Sequence, residues 1–473
     1  MLREKEAEDQ FIYNFRLENY VPDDHLLRLI DKHIDFSFII EKVKHLYSHT
    51  GRPSIDPVVL VKMLLIGYLY DIKSERQIER EIQVNLAYRW FIKYNIEESI
   101  PDHSTISQTR RRKFSGSRIF QEIFDEVVKQ IKAKGLISGE TIFTDSTHIK
   151  ANASMDSLRE IVITPKDYFS RLDEEADKEE RESNANSSDY NSKKEKKSND
   201  THRSKSDSDS RLMDRKGKPK GLYYLEHRSV DISGYITDSY ITPGNYADNI
   251  PYIDRLLRQI WSFKFRIKNA VADRAYGAGN IYSDLTRLGI NAYIPRQQVE
   301  KIREGMFTQT DYEYVKEGDY YICPAGIKLK RRSEEANQNR SFIYSCSSKI
   351  CNSNCTHRKK CTSTKHEKHA KTLKRNIYQE EIEYQLQKRD SSIWRYMLKK
   401  RKHIIEGSFA DSKTNHGLNR ARYRGRDKVQ EQSLMIATAQ NIKKLIKDLK
   451  KIGPILSLNI KLATNRNLLI FTV

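Results

Sequence analysis

Three carboxylates in this sequence stand where they could hold divalent metal ions. Asp145 lies in the middle of the alternating stretch Glu140–Ile149, and Asp273 ends a short apolar stretch. Glu406 lies in the basic segment Lys400–Lys413, whose pattern predicts a helix. An acid in mid-strand is unfavourable unless it has a partner or a role. Because carboxylates are the ligands of Mg²⁺ pairs that clamp the oxygens of a phosphoryl transfer, the three acids predict that chemistry.

Two of these acids also have an ordinary structural interpretation. Asp145 could lie in a turn at a strand edge, and Glu406 could be an incidental residue on a solvated helix face. The three positions together favour the metal-binding interpretation, because two of the acids are each carried by a predicted strand and one by a predicted helix.

The charge of the chain predicts a polyanionic partner. Of its 473 residues, 85 are Lys or Arg and 64 are Asp or Glu, so the formal net charge is +21. Because this excess is spread through segments that look folded, nucleic acid is favoured over an anionic membrane. No apolar run approaches the roughly 20 residues of a membrane span, and the first residues lack the apolar core of a signal peptide. We therefore expect a cytoplasmic protein.

The pattern of residues 1–135 predicts a helical, DNA-binding domain. Pro57–Tyr70 is strongly apolar, and Ser74–Trp90 repeats apolar residues one turn apart. Asp102–Lys113 begins with capping residues and ends in a basic run, as in a helix-turn-helix module. An ordinary helical domain with a solvated basic end is the alternative. The predicted DNA contacts here are Arg110, Arg111, Arg112 and Lys113.

Residues 136–296 predict the first part of an α/β domain. The strand that carries Asp145 is followed by a hairpin, Leu222–Val230 and Tyr235–Thr242, and then by helix, strand, helix and strand. Three antiparallel strands followed by helices and parallel strands is the order of the ribonuclease-H-like fold, a mixed sheet flanked by helices. In that order the first and fourth strands are neighbours, so we expect Asp145 and Asp273 to lie side by side.

Two inserts interrupt this order. Residues 158–220, above all Arg171–Ser210, have almost no large apolar side chain, which predicts a loop or a disordered segment. Residues 297–390 form a small, basic, cysteine-containing insertion. Residues 391–473 then complete the catalytic domain with the helix that carries Glu406.

The insertion contains a candidate zinc site. Cys346, Cys351, Cys355 and Cys361 follow the spacing C-x4-C-x3-C-x5-C, which is looser than the tight pairs of most structural zinc sites. Reduced cysteines in a basic insert are the alternative. Cys323 is too distant in sequence to be assigned either as a ligand or as a bystander.

Several motifs taken together resemble the bacterial insertion-sequence transposases of the DDE class, over nearly the whole chain. They are the helical start (GRPSIDPVVLVKMLLIGYLY, SERQIEREI and DHSTISQTRRR), FTDSTHIKANAS, AVADRAYG, and HIIEGSFADSK followed by GLNRARYRG. The resemblance implies that Asp145, Asp273 and Glu406 form the metal-binding triad of that class.

The last helix departs from the pattern of the subgroup that it resembles. That pattern places Tyr, Arg, Glu and Lys in order along the helix. Glu406 and Lys413 fit it, whereas Lys399 and Lys402 occupy the Tyr and Arg positions. The assignment of the acid is unaffected, and the roles of Lys402 and of the neighbouring Arg401 stay open.

The resemblance also implies a function and its partners. The chain would bind the terminal inverted repeats of its element and the target as double-stranded DNA. It would act as a homodimer on paired ends, associated with the bacterial nucleoid, and join the 3′ ends to target DNA with two Mg²⁺ or Mn²⁺ ions per active site. The basic residues near the last acid are further expected DNA contacts: Lys402, Lys413, Arg420, Arg422 and Arg424. An inactive domesticated DNA-binding protein and a hydrolytic nuclease are the alternatives, and strand transfer distinguishes them.

Overall fold

The computed structural model describes residues 16–47, 54–114, 116–160, 199, 201–214, 219–296, 305–335, 341–352, 355–361 and 370–468, without the side chains of 333–335 and 452–468. None of the helices in these ranges is long and apolar enough to cross a bilayer. The helices are α1 (Leu26–His33), α2 (Phe38–Val43), α3 (Pro57–Leu69), α4 (Glu75–Val84), α5 (Leu86–Ile92), α6 (His103–Thr109), α7 (Ile119–Ala133), α8 (Tyr252–Phe263), α9 (Gly279–Arg287), α10 (Ser348–Asn352), α11 (Arg358–Cys361), α12 (Gln379–Leu386), α13 (Ser392–Asn415) and α14 (Arg426–Leu468).

The N-terminal region is helical, as its sequence predicts, with one break that the sequence pattern missed. Ser74–Trp90 forms two helices, α4 and α5, because Asn85 leaves the helical conformation with φ −102° and ψ 113°. The Asn85 side chain accepts a hydrogen bond from the Tyr88 N–H at 3.1 Å and so caps α5. Asn competes for backbone donors in this way, which outweighs the apolar periodicity.

The strands form one large sheet, a sheet in the insertion and a small two-stranded pair. They are β1 (Thr141–Lys150), β2 (Leu158–Glu160), β3 (His202–Ser204), β4 (Arg211–Met213), β5 (Gly221–Asp231), β6 (Ile236–Pro243), β7 (Asn269–Val271), β8 (Asn291–Tyr293), β9 (Glu313–Val315), β10 (Tyr320–Ile322), β11 (Lys328–Glu335), β12 (Ser341–Ser345) and β13 (Thr372–Asn376).

The large sheet has the strand order expected of a ribonuclease-H-like domain. Strand β5 pairs with β6 and β4 along one edge and with β1 along the other, all antiparallel. Strand β1 then pairs with β7, and β7 with β8, both parallel. The predicted fold class, a mixed sheet flanked by helices with a helical N-terminal region, is confirmed.

Helix α14 covers the edge of the sheet at β6. The Asn441 side chain accepts from the Ile236 N–H at 2.8 Å and donates to the Ile236 carbonyl at 2.7 Å. Gln430, three turns earlier on the same helix, likewise accepts from the Ile241 N–H and donates to the Ser239 carbonyl. These side chains satisfy edge groups that would otherwise be open to pairing with another chain.

Part of the polar insert at residues 158–220 has regular structure, whereas its sequence predicts a loop or a disordered segment. Strands β2 and β3 pair, and β4 joins the large sheet. Asp207 is buried and accepts from the Tyr224 hydroxyl at 2.5 Å and from the Gly425 N–H at 3.1 Å. Here Ser and Asp side chains hydrogen-bond into the fold, so low apolar content did not mean disorder. Residues 161–198 lie outside the described part.

Arg110 joins the N-terminal helices to α14. The chain makes a π-helical turn at Arg110–Phe114, directly after α6. The Arg110 side chain is buried against Glu75 at 3.0 Å and Glu431 at 3.4 Å, and it lies over the Tyr423 ring at 3.9 Å. Burial raises the pKa of Glu431 to about 7, against the attraction of Arg110. Arg110 is therefore a buried interdomain residue, and we remove it from the predicted DNA contacts.

We expect Arg110→Ala to lower the free energy of unfolding by about 3 kcal/mol, because it leaves two carboxylates buried without their cation. Arg111→Ala is the matched control, since Arg111 is the exposed neighbour, and we expect it to change stability by less than about 0.5 kcal/mol. Thermal unfolding of the two variants measures the difference, and equal melting temperatures would contradict the interdomain role.

Candidate active site

Asp145 lies in the central strand of the large sheet, on the face that α13 covers. It pairs directly opposite Arg228 of β5, and side chains at opposite positions of neighbouring strands point to the same face. Its carboxylate is one quarter exposed and accepts from the Ser146 N–H at 2.8 Å. Burial raises the pKa of Asp145, the Arg401 guanidinium opposes this, and the charge of Asp273 raises the pKa further.

Asp273 follows the end of β7, next to Asp145. Thr141 pairs with Asn269, and Phe143 with Val271. Continuing this parallel register by two residues brings Asp273 level with Asp145. The Asp273 carboxylate accepts from the Ala275 N–H at 2.8 Å, which fixes it as the cap of a short turn of helix. The structure thus brings together the two strand-borne acids that the sequence predicts as neighbours.

A buried arginine fixes α13 on the sheet. Arg228 is fully buried and donates to one carboxylate oxygen of the equally buried Glu226 at 2.7 and 2.9 Å. It also donates to the Ser408 hydroxyl at 2.9 Å and to the Ser412 hydroxyl at 2.8 Å, both on α13. Gln440 of α14 accepts from Ser412 at 2.6 Å, so the same group joins the last two helices.

Two cations of α13 reach the strand that carries Asp145. Arg401 donates to the Asp145 carboxylate at 2.7 Å, and Lys413 donates to the Thr147 hydroxyl at 2.7 Å. Glu406 is exposed and lies two turns before Lys413, on the same flank of the helix. The helix therefore crosses the sheet at Asp145, and the third predicted acid is exposed on it.

The three predicted acids do not form a closed cluster. Within the described residues, one group of three His, Cys, Asp or Glu side chains has ligand atoms that all lie within 4.8 Å of one another: Glu79, Asp102 and His103. In that group Asp102 caps α6 and Glu79 accepts from the His103 N–H, which is a helix-start arrangement. The ligand atoms of Asp145, Asp273 and Glu406 are therefore not all within that distance of one another, and Arg401 lies against Asp145.

Some of the predicted DNA-contacting residues are exposed, and others make contacts within the protein. Arg422 contacts Asp71 at 3.0 Å and lies over the Tyr68 ring, so it is an interdomain residue like Arg110. Lys113 donates to the Ser54 hydroxyl at 3.0 Å and is half-buried. The exposed members of the set are Arg111, Arg112, Lys402, Arg420 and Arg424.

Sequence reasoning missed Arg228 and left Arg401 without a role. A signal for Arg228 was present. Glu226 and Arg228 are two residues apart, so they lie on the same face of a strand whose other residues are mostly buried, and buried charges are expected to be paired. The contact of Arg401 depends on the rotation of α13 about its axis, which the sequence does not fix to within one residue.

Comparison with known protein families gives two matches in this chain. Residues 15–112 match the family described as transposase domain (DUF772), and residues 322–446 match the family described as transposase DDE domain. Both matched families are transposase families, which supports the assignment of the chain as an insertion-sequence DDE transposase. Curated proteins gave no match.

The two matches cover different parts of the transposase. The first takes in the helices up to α6 and the basic run after it. The second includes most of the cysteine-containing insertion, α13 with Glu406, and the first half of α14. Asp145 and Asp273 lie between the two matched ranges, so their assignment depends on the sheet and on the motifs around them. The transposase DDE domain family implies divalent metal ions and a DNA substrate.

We expect Arg228→Met to lower the free energy of unfolding by about 3–5 kcal/mol, because Glu226 remains buried without its cation. The double variant Arg228→Met/Glu226→Met removes both charges and should recover most of that loss. Urea denaturation of the two variants tests this, and a double variant as unstable as the single one would show that the pair itself is not the cause.

Proposed function

We propose that this transposase binds the ends of its own element, cleaves the DNA there and joins the 3′ ends to target DNA. The observation that carries the proposal is the position of the two aspartates. Asp145 lies in β1, Asp273 follows the end of the neighbouring parallel strand β7, and the helix that carries Glu406 contacts Asp145 through Arg401. A homodimer on paired ends stays a prediction, because joining two ends calls for two active sites.

The residues around Asp145 fit a divalent cation. The carboxylate is partly buried, and a cation from the chain itself, Arg401, already lies against it. Asp273 is adjacent, and the exposed Glu406 leaves one side of the site open to solvent. Magnesium prefers this combination of few carboxylates with water and phosphate oxygens. We therefore assign Asp145, Asp273 and Glu406 as the ligands of two Mg²⁺ or Mn²⁺ ions.

The chain's own groups hold the acids and the DNA in place. A bound pair of divalent cations supplies Lewis-acid activation of the attacking and leaving oxygens. The Ala275 N–H orients Asp273, the Ser146 N–H orients Asp145, and Arg228 holds the helix of Glu406 on the sheet. Water attacks the phosphodiester in cleavage, and the released 3′ hydroxyl attacks a target phosphodiester in joining. Each step forms one P–O bond and breaks another, so no protein nucleophile is required.

A row of cations beside the C-terminal half of β1 would contact the DNA backbone. Arg420 forms an isolated bridge with Lys150, the last residue of β1, and Arg424 donates to the Asn152 carbonyl at 3.1 Å. Arg420 and Arg424 are exposed, as is Lys402 on α13. Exposed cations aligned with the site are suited to phosphate contacts, which position DNA without reading its sequence.

We expect Asp145→Asn, Asp273→Asn and Glu406→Gln each to lower cleavage of a labelled element end by more than about 100-fold, because even an outer partner of a metal ligand is worth 10–100-fold. Binding of the same DNA should change little, since the phosphate contacts remain. Asp254→Asn, which alters an exposed acid of α8, is the control and should retain full cleavage.

The products of the same assay separate the alternatives. Joined 3′ ends with Mg²⁺ support the transposase reaction. Released ends that are never joined would indicate a hydrolytic nuclease, and binding without any cleavage by the unmodified protein would indicate a domesticated DNA-binding protein. A triad variant with normal cleavage would remove that residue from the metal site.

We expect Arg420→Ala and Arg424→Ala each to reduce the salt dependence of DNA binding by about one unit of slope, as for the loss of one phosphate contact. Lys268→Ala is the control, because Lys268 is exposed beside β7 at the opposite end of the sheet and pairs with Glu140 at 2.8 Å. Binding measured at several salt concentrations should distinguish them, and equal slopes for all three variants would exclude this surface as the DNA path.

A further inference from the structure

All five cysteines of the chain meet at one small cavity in the insertion. The cavity has a volume of about 20 Å³ and is lined by Cys323, Cys346, Cys351, Cys355, Cys361 and the His357 side chain. Cys351 and Cys361 are buried, and the other three thiols are partly buried. The sequence spacing alone suggested a group of four, with Cys323 unassigned, whereas the fold brings Cys323 to the same place.

Cys323 lines the same cavity as the other four thiols. It follows β10 in a tight turn, where the Gly326 N–H donates to the Cys323 carbonyl at 2.8 Å. The Ile327 N–H donates to the Cys323 sulfur at 3.4 Å, a contact of the kind that orients a metal ligand. Burial raises the pKa of Cys346, with contributions from Cys351 and Cys323, and burial raises that of Cys361, with contributions from Cys323 and Cys355. Cys323 is thus a neighbour of both groups.

The insertion has too small a core to fix five thiols in place by packing alone. Its buried cluster is separate from the main core and consists, within the described residues, of Tyr312, Tyr321, Leu329, Tyr344, Cys361 and Leu373. Domains with so few buried side chains commonly need a metal ion or disulfides, and all five cysteines are free thiols.

We propose that this cluster is a structural zinc site in which Cys323, Cys351 and Cys361 are ligands. The fourth position belongs to Cys346 or Cys355, which line the same cavity. Soft thiolates select zinc over magnesium, and a closed four-ligand site has a structural role. No three of the described thiols lie within 4.8 Å of one another, so ligation closes the group by side-chain rotation. Each binding thiol releases a proton.

The site would hold the insertion against the catalytic sheet. At the base of the insertion, Asn376 of β13 lies so close to Gly279 that an added Cβ there would come within 2.6 Å of its side-chain oxygen. Gly279 begins α9, six residues after Asp273. The inference is independent of the proposed reaction, because it is tested by metal content.

Elemental analysis of the purified full-length protein tests the site. We expect about one zinc per chain, as a single four-ligand site requires, and loss of zinc in Cys323→Ser, Cys351→Ser and Cys361→Ser. Tyr312→Phe is the control, because it removes the hydroxyl that lies 3.1 Å from the Cys361 sulfur and removes no ligand. It should keep its zinc. Of Cys346→Ser and Cys355→Ser, the variant that keeps zinc identifies the spare thiol.

A second measurement covers variants that fail to fold. Zinc removed from the unmodified protein by a chelator should be replaceable by Co²⁺, with the visible absorption of a tetrahedral thiolate site. Protein that contains no zinc and takes up no Co²⁺ would overturn the proposal, as would iron in place of zinc. Full zinc content in Cys323→Ser would overturn the ligand set and return the site to the four cysteines of the sequence spacing.

Discussion

Arg228 and Glu226 are fully buried, and their ion pair lies in the centre of the large sheet, beside Asp145. Such a pair costs desolvation energy and seldom adds stability over an apolar pair of the same size. It does determine position, because the remaining donors of Arg228 are taken by Ser408 and Ser412 of α13. A guanidinium has donors in a fixed fork, so the helix can slide or rotate only by breaking these bonds.

Helix α14 connects the Arg228–Glu226 ion pair to the rest of the fold. Ser239 joins Glu226 to Ser433 of that helix, at 2.9 and 2.6 Å. Further along, Asn441 completes the edge of β6, and Glu431 receives Arg110 from the N-terminal helices. Helix α14 therefore covers the edge of the sheet, contacts α13 and packs against the N-terminal helices. The domain boundaries predicted from the sequence follow changes in composition. The contacts of α14 cross those boundaries.

The order of the strands could be predicted because each strand of the large sheet carries its own signal. Alternation in β1, the hairpin turn between β5 and β6, and the apolar run of β7 are local features. The register that brings Asp273 level with Asp145 follows from that order. What could not be predicted depends on side chains that act across the fold. Asp207 fixes a polar segment through Tyr224, and Arg110 enters a buried pair instead of facing DNA.

The cysteines of the insertion also show what the sequence could not predict. The spacing of four thiols indicated a site, but membership was decided by a hairpin that returns Cys323 to the group. The spacing of cysteines in the sequence cannot identify a ligand that comes from a distant strand, because residues far apart in sequence can be neighbours in a sheet. The tight turn after Cys323, with its Pro and Gly, was the local signal that could have suggested it.

Helix α13 departs from the family pattern at Lys402, and the structure shows what the neighbouring Arg401 does. The family pattern expects Arg at the position of Lys402, and Lys402 is exposed. Arg401, one residue earlier, supplies the guanidinium that contacts Asp145. One residue on a helix is a rotation of about 100°, so the two side chains cannot serve the same face. Because Arg228 fixes the rotation of α13, Arg401 points inward and contacts Asp145, whereas Lys402 faces solvent.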